Sequence, residues 1–235
     1  MADSRYSIPG RRIPIAARSR RRDLVELAVA YGMILLVIWT PRPWQKILWW
    51  VTAASIVAIA SASFEGLKAM GLRRENFLRS LWVVGVALLV AAVAVVLAIR
   101  LRTLHVPATP LLFIETYAGY ILWTFVQQLL MQCFFLARLL RLLPGARRAA
   151  VVTAVIFAAA HLPNPILMPV TLLWGLAACL LFLRYRNLYT LAIAHAILGV
   201  TLTITVPGPV NHNMRVGLGY LTYSHSHKPA ALPQP

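Results

Sequence analysis

Charged residues are scarce in this sequence, and acidic residues are the scarcest. Only 12% of the 235 residues are charged, whereas soluble domains usually carry about 25%. Hydrophobic residues make up 60% of the chain and the mean hydropathy is +0.73. Water cannot be the solvent for most of such a surface, so a soluble domain is excluded. We predict one all-α membrane domain, a polytopic helical bundle, at residues 23–206.

Cysteine is nearly absent as well. The two cysteines, Cys133 and Cys179, both lie within apolar runs. Two separated cysteines in apolar surroundings are typical of free buried thiols, so the sequence implies no disulfide framework.

Long apolar runs are abundant, and they predict about seven transmembrane helices. Each run approaches the length that crosses about 30 Å of hydrocarbon. The runs cover residues 24–40, 47–63, 80–99, 113–137, 149–168, 170–183 and 188–206. The first could be a signal-peptide core, but it is long and Pro41 and Pro43 close it, which favours an uncleaved span. The stretch Leu162-Pro163-Asn164-Pro165 suggests that the fifth and sixth runs are shorter or tilted helices joined within the membrane.

Basic residues give the chain a formal net charge of +17. On a soluble protein this excess would suggest nucleic-acid binding, but here the basic residues lie between apolar runs. With the N-terminus in the cytoplasm, 17 of the 23 Lys and Arg residues fall on the inner side, as the positive-inside rule requires. We therefore expect anionic lipid headgroups as partners and no nucleic acid.

The two ends of the chain are polar. Residues 1–22 form a basic arm, predicted to be cytoplasmic and disordered. Residues 207–235 form a polar C-terminal tail that contains three scattered histidines. Scattered histidines define no coordination geometry, so a frayed terminus is favoured over a metal-binding tail.

Polar side chains within the predicted spans indicate where function resides, because such groups are costly in the bilayer. The fourth span contains Gln127, Gln128 and Gln132, the fifth contains His161, and the seventh contains His195. Taken singly, each is typical of hydrogen bonding between helices. Together, at similar depth, they indicate one polar cavity in which two histidines could hold a water or a metal, or one could act as a general base.

The order of these residues resembles three motifs of the CPBP family, which contains the CAAX proteases and the bacteriocin-processing enzymes. The family motifs are Glu-Glu-x-x-x-Arg, Phe-x-x-x-His and His-x-x-x-Asn. Their counterparts here are Gln127-Gln128-x-x-x-Gln132, Phe157-x-x-x-His161 and His195-x-x-x-Gly199. The segments Trp174-Gly175-Leu176-Ala177 and Leu183-Arg184-Tyr185-Arg186-Asn187-Leu188 are also similar to the family, and the resemblance covers about residues 113–206.

The resemblance implies an intramembrane endopeptidase that acts on a membrane-associated protein or peptide, in a multi-pass protein of a bacterial plasma membrane. By this resemblance His161, His195, Gln127 and Gln128 are the catalytic positions. Gln132, Phe157 and Gly199 support them. The resemblance leaves two possibilities for a cofactor: none is required, or the two histidines hold a divalent metal.

The sequence departs from the family in its missing charges. A carboxamide cannot take a proton from water, so neither Gln127 nor Gln128 can be the general base. The six acids are Asp3, Asp23, Glu26, Glu65, Glu75 and Glu115. Glu115 would lie about 18 Å from Gln127 on a straight helix. Two functions remain open: a protease in which a histidine, with or without a metal, replaces the glutamate, and a non-catalytic member that binds a membrane peptide or assists another membrane protein. A small transporter is a weaker third possibility. Transporters built from repeats show paired broken helices, and the seven predicted spans lack that pattern.

Overall fold

The computed structural model describes residues 20–62, 66–68 and 70–223. Within them the chain is helical and contains no strand. The helices are α1 (Arg20–Ile38), α2 (Arg42–Ser61), α3 (Phe77–Ser80), α4 (Trp82–Leu101), α5 (Pro110–Gln128), α6 (Ala137–Leu142), α7 (Ala146–Ala159), α8 (Leu167–Tyr185), α9 (Leu188–Thr205), α10 (Gly208–Asn211) and α11 (Gly217–Leu221). A π-helix, Leu129–Leu136, joins α5 to α6, and a short 3₁₀ turn, His212–Met214, follows α10.

The predicted all-α membrane bundle is confirmed. Four described helices are long and apolar enough to cross a membrane: Phe77–Leu101, Pro110–Leu142, Leu167–Tyr185 and Leu188–Thr205. The other three predicted spans form α1, α2 and α7. Of these, α1 begins with Arg20, Arg21, Arg22 and Asp23, and α7 has 14 residues, about 21 Å of helix. That these three cross the membrane remains a prediction.

Helix α9 is the centre of the bundle. It packs against α4, α5 and α8, while α7 packs mainly against α8. The most apolar part of α9 is 56% buried, whereas that of α4 is 17% buried and faces outward. A polar residue midway along α9 is therefore surrounded by other helices and not by lipid.

Local sequence explains where the long helices begin. Thr109 caps α5 by accepting a hydrogen bond from the backbone N–H of Leu112, and Pro110 occupies the first turn, where its missing N–H is harmless. Asn187 caps α9 in the same way by accepting from Thr190. Only Arg186 and Asn187 thus separate the end of α8 from the start of α9.

The fifth predicted span, residues 149–168, is wrong in its second half. Helix α7 ends at Ala159, and His161 lies in the turn that follows it. Pro163 and Pro165 lack the N–H groups that would continue the helix. Asn164 then begins the next helix, because its Oδ1 accepts hydrogen bonds from the backbone N–H groups of Ile166 and Leu167 at 3.1 and 3.0 Å at the start of α8.

The prediction of a frayed C-terminus is wrong for residues 207–223. The Nδ2 of Asn164 donates to the carbonyls of Asn211 and Arg215 at 2.8 and 3.1 Å, which fixes this segment to the α7–α8 turn. The ring of His212 stacks on those of Tyr220 and Tyr223, with centroids 4.0 and 4.7 Å away. Residues 224–235 and most of the arm, residues 1–19, lie outside the described part of the chain, and Arg20–Arg22 begin α1.

Candidate active site

Three of the predicted polar residues form one chain of hydrogen bonds. Gln132 Nε2 donates to Gln128 Oε1 at 3.3 Å, and Gln128 Nε2 lies 3.1 Å from His195 Nδ1. The side chains come from the end of α5, the π-helix and the middle of α9. Gln128 and Gln132 are 0% and 1% exposed and His195 is 7% exposed, so this contact lies between packed helices.

The two carboxamides determine the tautomer of His195. Because Gln128 Oε1 accepts from Gln132, the group that Gln128 turns to His195 is its amide N–H₂, which can only donate. Nδ1 of His195 is then the acceptor, and the proton of the neutral ring is on Nε2. The π-helix places Gln132 for this contact, in agreement with the frequent occurrence of π-helical turns at functional sites.

His161 has the opposite tautomer. Its Nδ1 lies 2.8 Å from the carbonyl oxygen of Phe157, which can only accept, so Nδ1 carries the proton. The Nε2 of His161 therefore keeps a free lone pair. One histidine presents a base and the other presents a donor.

Phe157 brings the two histidines together. Its ring centroid lies 4.9 Å from that of His161 and 6.0 Å from that of His195. On another side of His195 the ring of Trp174 packs at 5.7 Å. We call Gln128, Gln132, His161 and His195 the neutral cluster: hydrogen bonds connect the two glutamines to His195, and the Phe157 ring connects His195 to His161. Gln127 is half-buried and takes no part in the hydrogen-bond chain.

Gly199, the counterpart of the family asparagine, has a role that the sequence did not reveal. A Cβ at this position would collide with the hydroxyl of Tyr120 and come within 2.6 Å of its ring carbon Cζ. The missing side chain at position 199 therefore makes room for Tyr120 from α5. No sequence spacing links the two residues, because they meet only when α5 packs on α9.

Two buried polar atoms beside the histidines have no hydrogen-bond partner within the described residues. They are Gln132 Oε1 and Trp174 Nε1. Buried polar groups are usually paired, and an unpaired one in a native structure calls for an explanation. An acceptor and a donor are therefore available to a bound molecule at the neutral cluster. Trp174 was noted in the sequence as part of a family-like segment, but not as a site residue.

The described carboxylates do not supply the missing base, and the donor set does not suit a metal. Asp23 is paired with Arg141, Glu26 with Arg138 and Glu75 with Lys68. The fourth described carboxylate, Glu115, lies about 20 Å from Gln128 along α5. In the parts of the chain that the structure describes, no three His, Cys, Asp or Glu side chains come close enough to hold a metal ion. Catalytic zinc sites use three protein ligands, and here two imidazoles are on offer, of which only His161 presents a ring nitrogen with a free lone pair. The described residues at this site do not fit a resident catalytic metal.

Comparison with known proteins confirms the family resemblance over the region of the site. Residues 107–201 match the family described as type II CAAX prenyl endopeptidase Rce1-like. The matched range contains every member of the neutral cluster and is consistent with a CPBP family protease. No curated protein and no solved structure matches the chain. Residues 107–201 are thus similar to a domain of a protease family, and they lie in an integral membrane protein.

Proposed function

We propose that this protein is an intramembrane endopeptidase that cleaves a membrane-associated protein or peptide, and that His161 and His195 carry the chemistry. The observation behind the proposal is the opposite tautomers of the two rings, one with a free Nε2 lone pair and one with an Nε2 proton. Peptide hydrolysis needs both: a base for the attacking water and a donor for the carbonyl oxygen.

The reaction follows from these protonation states. His161 Nε2 takes a proton from a water molecule whose oxygen attacks the scissile carbonyl carbon. His195 donates its Nε2 proton in a hydrogen bond to the carbonyl oxygen as negative charge develops there. The His161 imidazolium then returns the proton to the departing amine as the carbon–nitrogen bond breaks. Gln128 holds the His195 tautomer, and Gln132 orients Gln128.

A peptidase assay in liposomes tests the proposal. Purified wild type is compared with His161→Ala and His195→Ala on a membrane-inserted reporter peptide. Since general acid–base catalysis contributes about 10²–10⁴-fold, we expect each variant to lose at least about 100-fold in rate.

The matched control is His105→Ala, because His105 is an exposed histidine in the loop before α5 whose ring contacts the nearby carbonyl of Thr103 and none of the site residues. It should keep the wild-type rate. Equal rates for wild type and both site variants would overturn the assignment of the histidines.

One observation favours a second function, a non-catalytic protein that binds a membrane peptide. Carboxamides stand where the resemblance places the family glutamates, and the structure supplies no other carboxylate there from the described residues. If the general base is simply lost, Gln128→Glu with Gln132→Arg should create proteolysis and raise the rate by about 10²–10⁴-fold. If the histidines act, wild type already cleaves and the double variant should lose about 100-fold or more in rate, because a glutamate at position 128 cannot donate to His195 Nδ1 and the His195 tautomer would reverse. Gln127→Glu is the control, since Gln127 lies outside the hydrogen-bond chain.

We also propose that the chain lies in a bacterial plasma membrane with its N-terminus in the cytoplasm. The support is the basic residues, which concentrate in alternate connections. Reporter fusions should place residues 138–148 inside and residues 100–112 outside. A cytoplasmic location for residues 100–112 would reverse the assignment.

A further inference from the structure

A second candidate site lies away from the neutral cluster, where the start of α3 meets the end of α8. A cavity of about 320 Å³ is lined there by Asn76, Arg79, Arg184 and Tyr185. Two of the four lining residues are arginines, and none is acidic. They come from different helices, so their convergence is a product of the fold.

Neither arginine is neutralised within the described residues. Arg79 and Arg184 are exposed and form no ion pair there, whereas Arg138 and Arg141 are each paired with a carboxylate. The nearest acid along the chain is Glu75, which does not line the cavity. Its Oε1 lies 3.7 Å from Nζ of Lys68, with which it forms an ion pair. Two guanidinium groups around one cavity repel each other unless an anion lies between them, and phosphate matches their planar donor geometry.

Hydrogen bonds already hold the walls of the cavity in place. Asn76 Nδ2 donates to the carbonyl of Tyr185 at 3.0 Å, and Arg73 Nε donates to that of Arg186 at 3.1 Å. Asn187, which is 1% exposed, donates to the carbonyl of Arg73 at 2.9 Å. These contacts satisfy the last carbonyls of α8 and fix the loop before α3, so a ligand would not have to order the site.

The surroundings favour a lipid as the source of the phosphate. Trp82 Nε1 donates to the Tyr185 hydroxyl at 3.2 Å, which leaves the hydroxyl proton free for a ligand oxygen. Paired Trp and Tyr are typical of the membrane–water interface. Leu78, Leu81 and Trp82 are exposed beside Arg79 and offer apolar surface to acyl chains.

We propose that this cavity binds the phosphate of an anionic phospholipid headgroup at the inner surface of the membrane. Basic pockets between membrane helices on the cytoplasmic side bind such headgroups in general. The site is independent of the proposed proteolysis, since no member of the neutral cluster lines it.

The test is direct binding of short-chain phosphatidylglycerol to the full-length protein in a zwitterionic detergent, with phosphatidylcholine as the neutral lipid. The double variant Arg79→Gln/Arg184→Gln should raise the dissociation constant for phosphatidylglycerol by about tenfold or more. The matched control, Arg147→Gln/Arg148→Gln, removes two exposed arginines on the same predicted side that do not line the cavity. It should change the constant by less than about twofold.

Two further measurements exclude trivial outcomes. The melting temperature without added lipid should be the same for both double variants. Arg79→Lys/Arg184→Lys should raise the dissociation constant less than Arg79→Gln/Arg184→Gln does, because it keeps the charge and loses only the planar donor geometry. Equal losses in the two Gln variants, or no binding of phosphatidylglycerol to wild type, would overturn the proposal. So would inorganic phosphate binding as tightly as the lipid, or binding at these arginines by a peptide with a free C-terminal carboxylate and not by phosphatidylglycerol.

Discussion

Two buried polar clusters share the long helical segment Pro110–Leu142, and they are built on opposite principles. The neutral cluster begins at Gln128 and Gln132 and contains no formal charge. The other cluster, which we call the ion-pair cluster, comprises Asp23, Glu26, Arg138 and Arg141. Both clusters place polar side chains inside an apolar helical bundle. Only the neutral cluster has donor and acceptor atoms left without a partner among the described residues.

The ion-pair cluster is saturated. Arg138 donates to Glu26 Oε2 through Nε and Nη2 at 2.9 and 2.7 Å, and Nη1 donates to the carbonyl of Phe134 at 3.1 Å. Arg141 donates to both carboxylate oxygens of Asp23, through Nε at 2.8 Å and through Nη2 at 2.6 Å. These contacts, of which that between Arg141 and Asp23 is bidentate, fasten α1 to α6 directly after the π-helix. Such a cluster positions helices but has no capacity left for a substrate.

The neutral cluster is unsaturated. Gln132 Oε1 and Trp174 Nε1 have no partner within the described residues, and His161 Nε2 keeps its lone pair because Nδ1 makes the bond to Phe157. The two clusters thus differ in what they can do on one helical segment. The paired charges of the ion-pair cluster hold helices together, whereas the unpaired atoms of the neutral cluster can bind a substrate.

Breaking the ion-pair cluster should give the largest change in stability. Arg138→Met leaves the buried Glu26 carboxylate with the more exposed Arg22 as its remaining ion-pair partner, and we expect a loss of about 3 kcal/mol in the free energy of unfolding. Arg138→Met combined with Glu26→Leu removes both charges and should recover most of that loss. Thermal melts of the detergent-solubilised variants measure both. If the double variant were as unstable as the single one, the cluster would act through packing and not through charge.

Removal of a hydrogen-bonding side chain from the neutral cluster should lower the free energy of unfolding less than breaking the ion-pair cluster does. It should lower the rate of peptide cleavage more. Gln128→Leu removes the partner of His195 Nδ1 and of Gln132 Nε2, and we expect a destabilisation of about 1–3 kcal/mol. The His195 tautomer is then no longer fixed, so the rate of peptide cleavage should fall by about 10²-fold or more. The control is Gln127→Leu, which should change neither quantity strongly. A Gln128→Leu variant with full activity would show that the Gln128 carboxamide holds helices together and has no role in catalysis.

The sequence predicted the neutral cluster better than it predicted the ion-pair cluster. Gln128, His161 and His195 were identified because polar residues in apolar runs and the family spacing both single them out. Arg138 and Arg141 were interpreted as residues of a cytoplasmic loop, since a charge count along the chain carries no information on their partners in α1. The pairing of Tyr120 with Gly199 was missed for the same reason: long-range contacts follow from packing and have no local pattern.

Helix boundaries show the same limit. The all-α bundle followed from composition, and the ends of α8 and α9 agree with the predicted spans to within a few residues. The end of α7 was placed too late, because the length of an apolar run does not show that a turn can be held inside the bundle by Asn164. The π-helix could not be predicted either, since no local pattern in Leu129–Leu136 distinguishes its hydrogen-bond register from that of an α-helix.

The smallest effect should come from a single neutral contact that belongs to neither cluster. Thr190 Oγ1 donates to Ser80 Oγ at 3.0 Å and links α9 to α3, and both side chains are buried. Unlike the neutral cluster it leaves no unpaired group, and unlike the ion-pair cluster it carries no charge. Hydrogen bonds between helices in membranes average about 0.6 kcal/mol in double-mutant cycles. A cycle of Thr190→Val and Ser80→Ala, followed by thermal unfolding in detergent, should give a coupling energy near that value. A coupling energy as large as that of the Glu26–Arg138 pair would show that burial sets the strength of these contacts, and that the contrast between charged and neutral clusters does not.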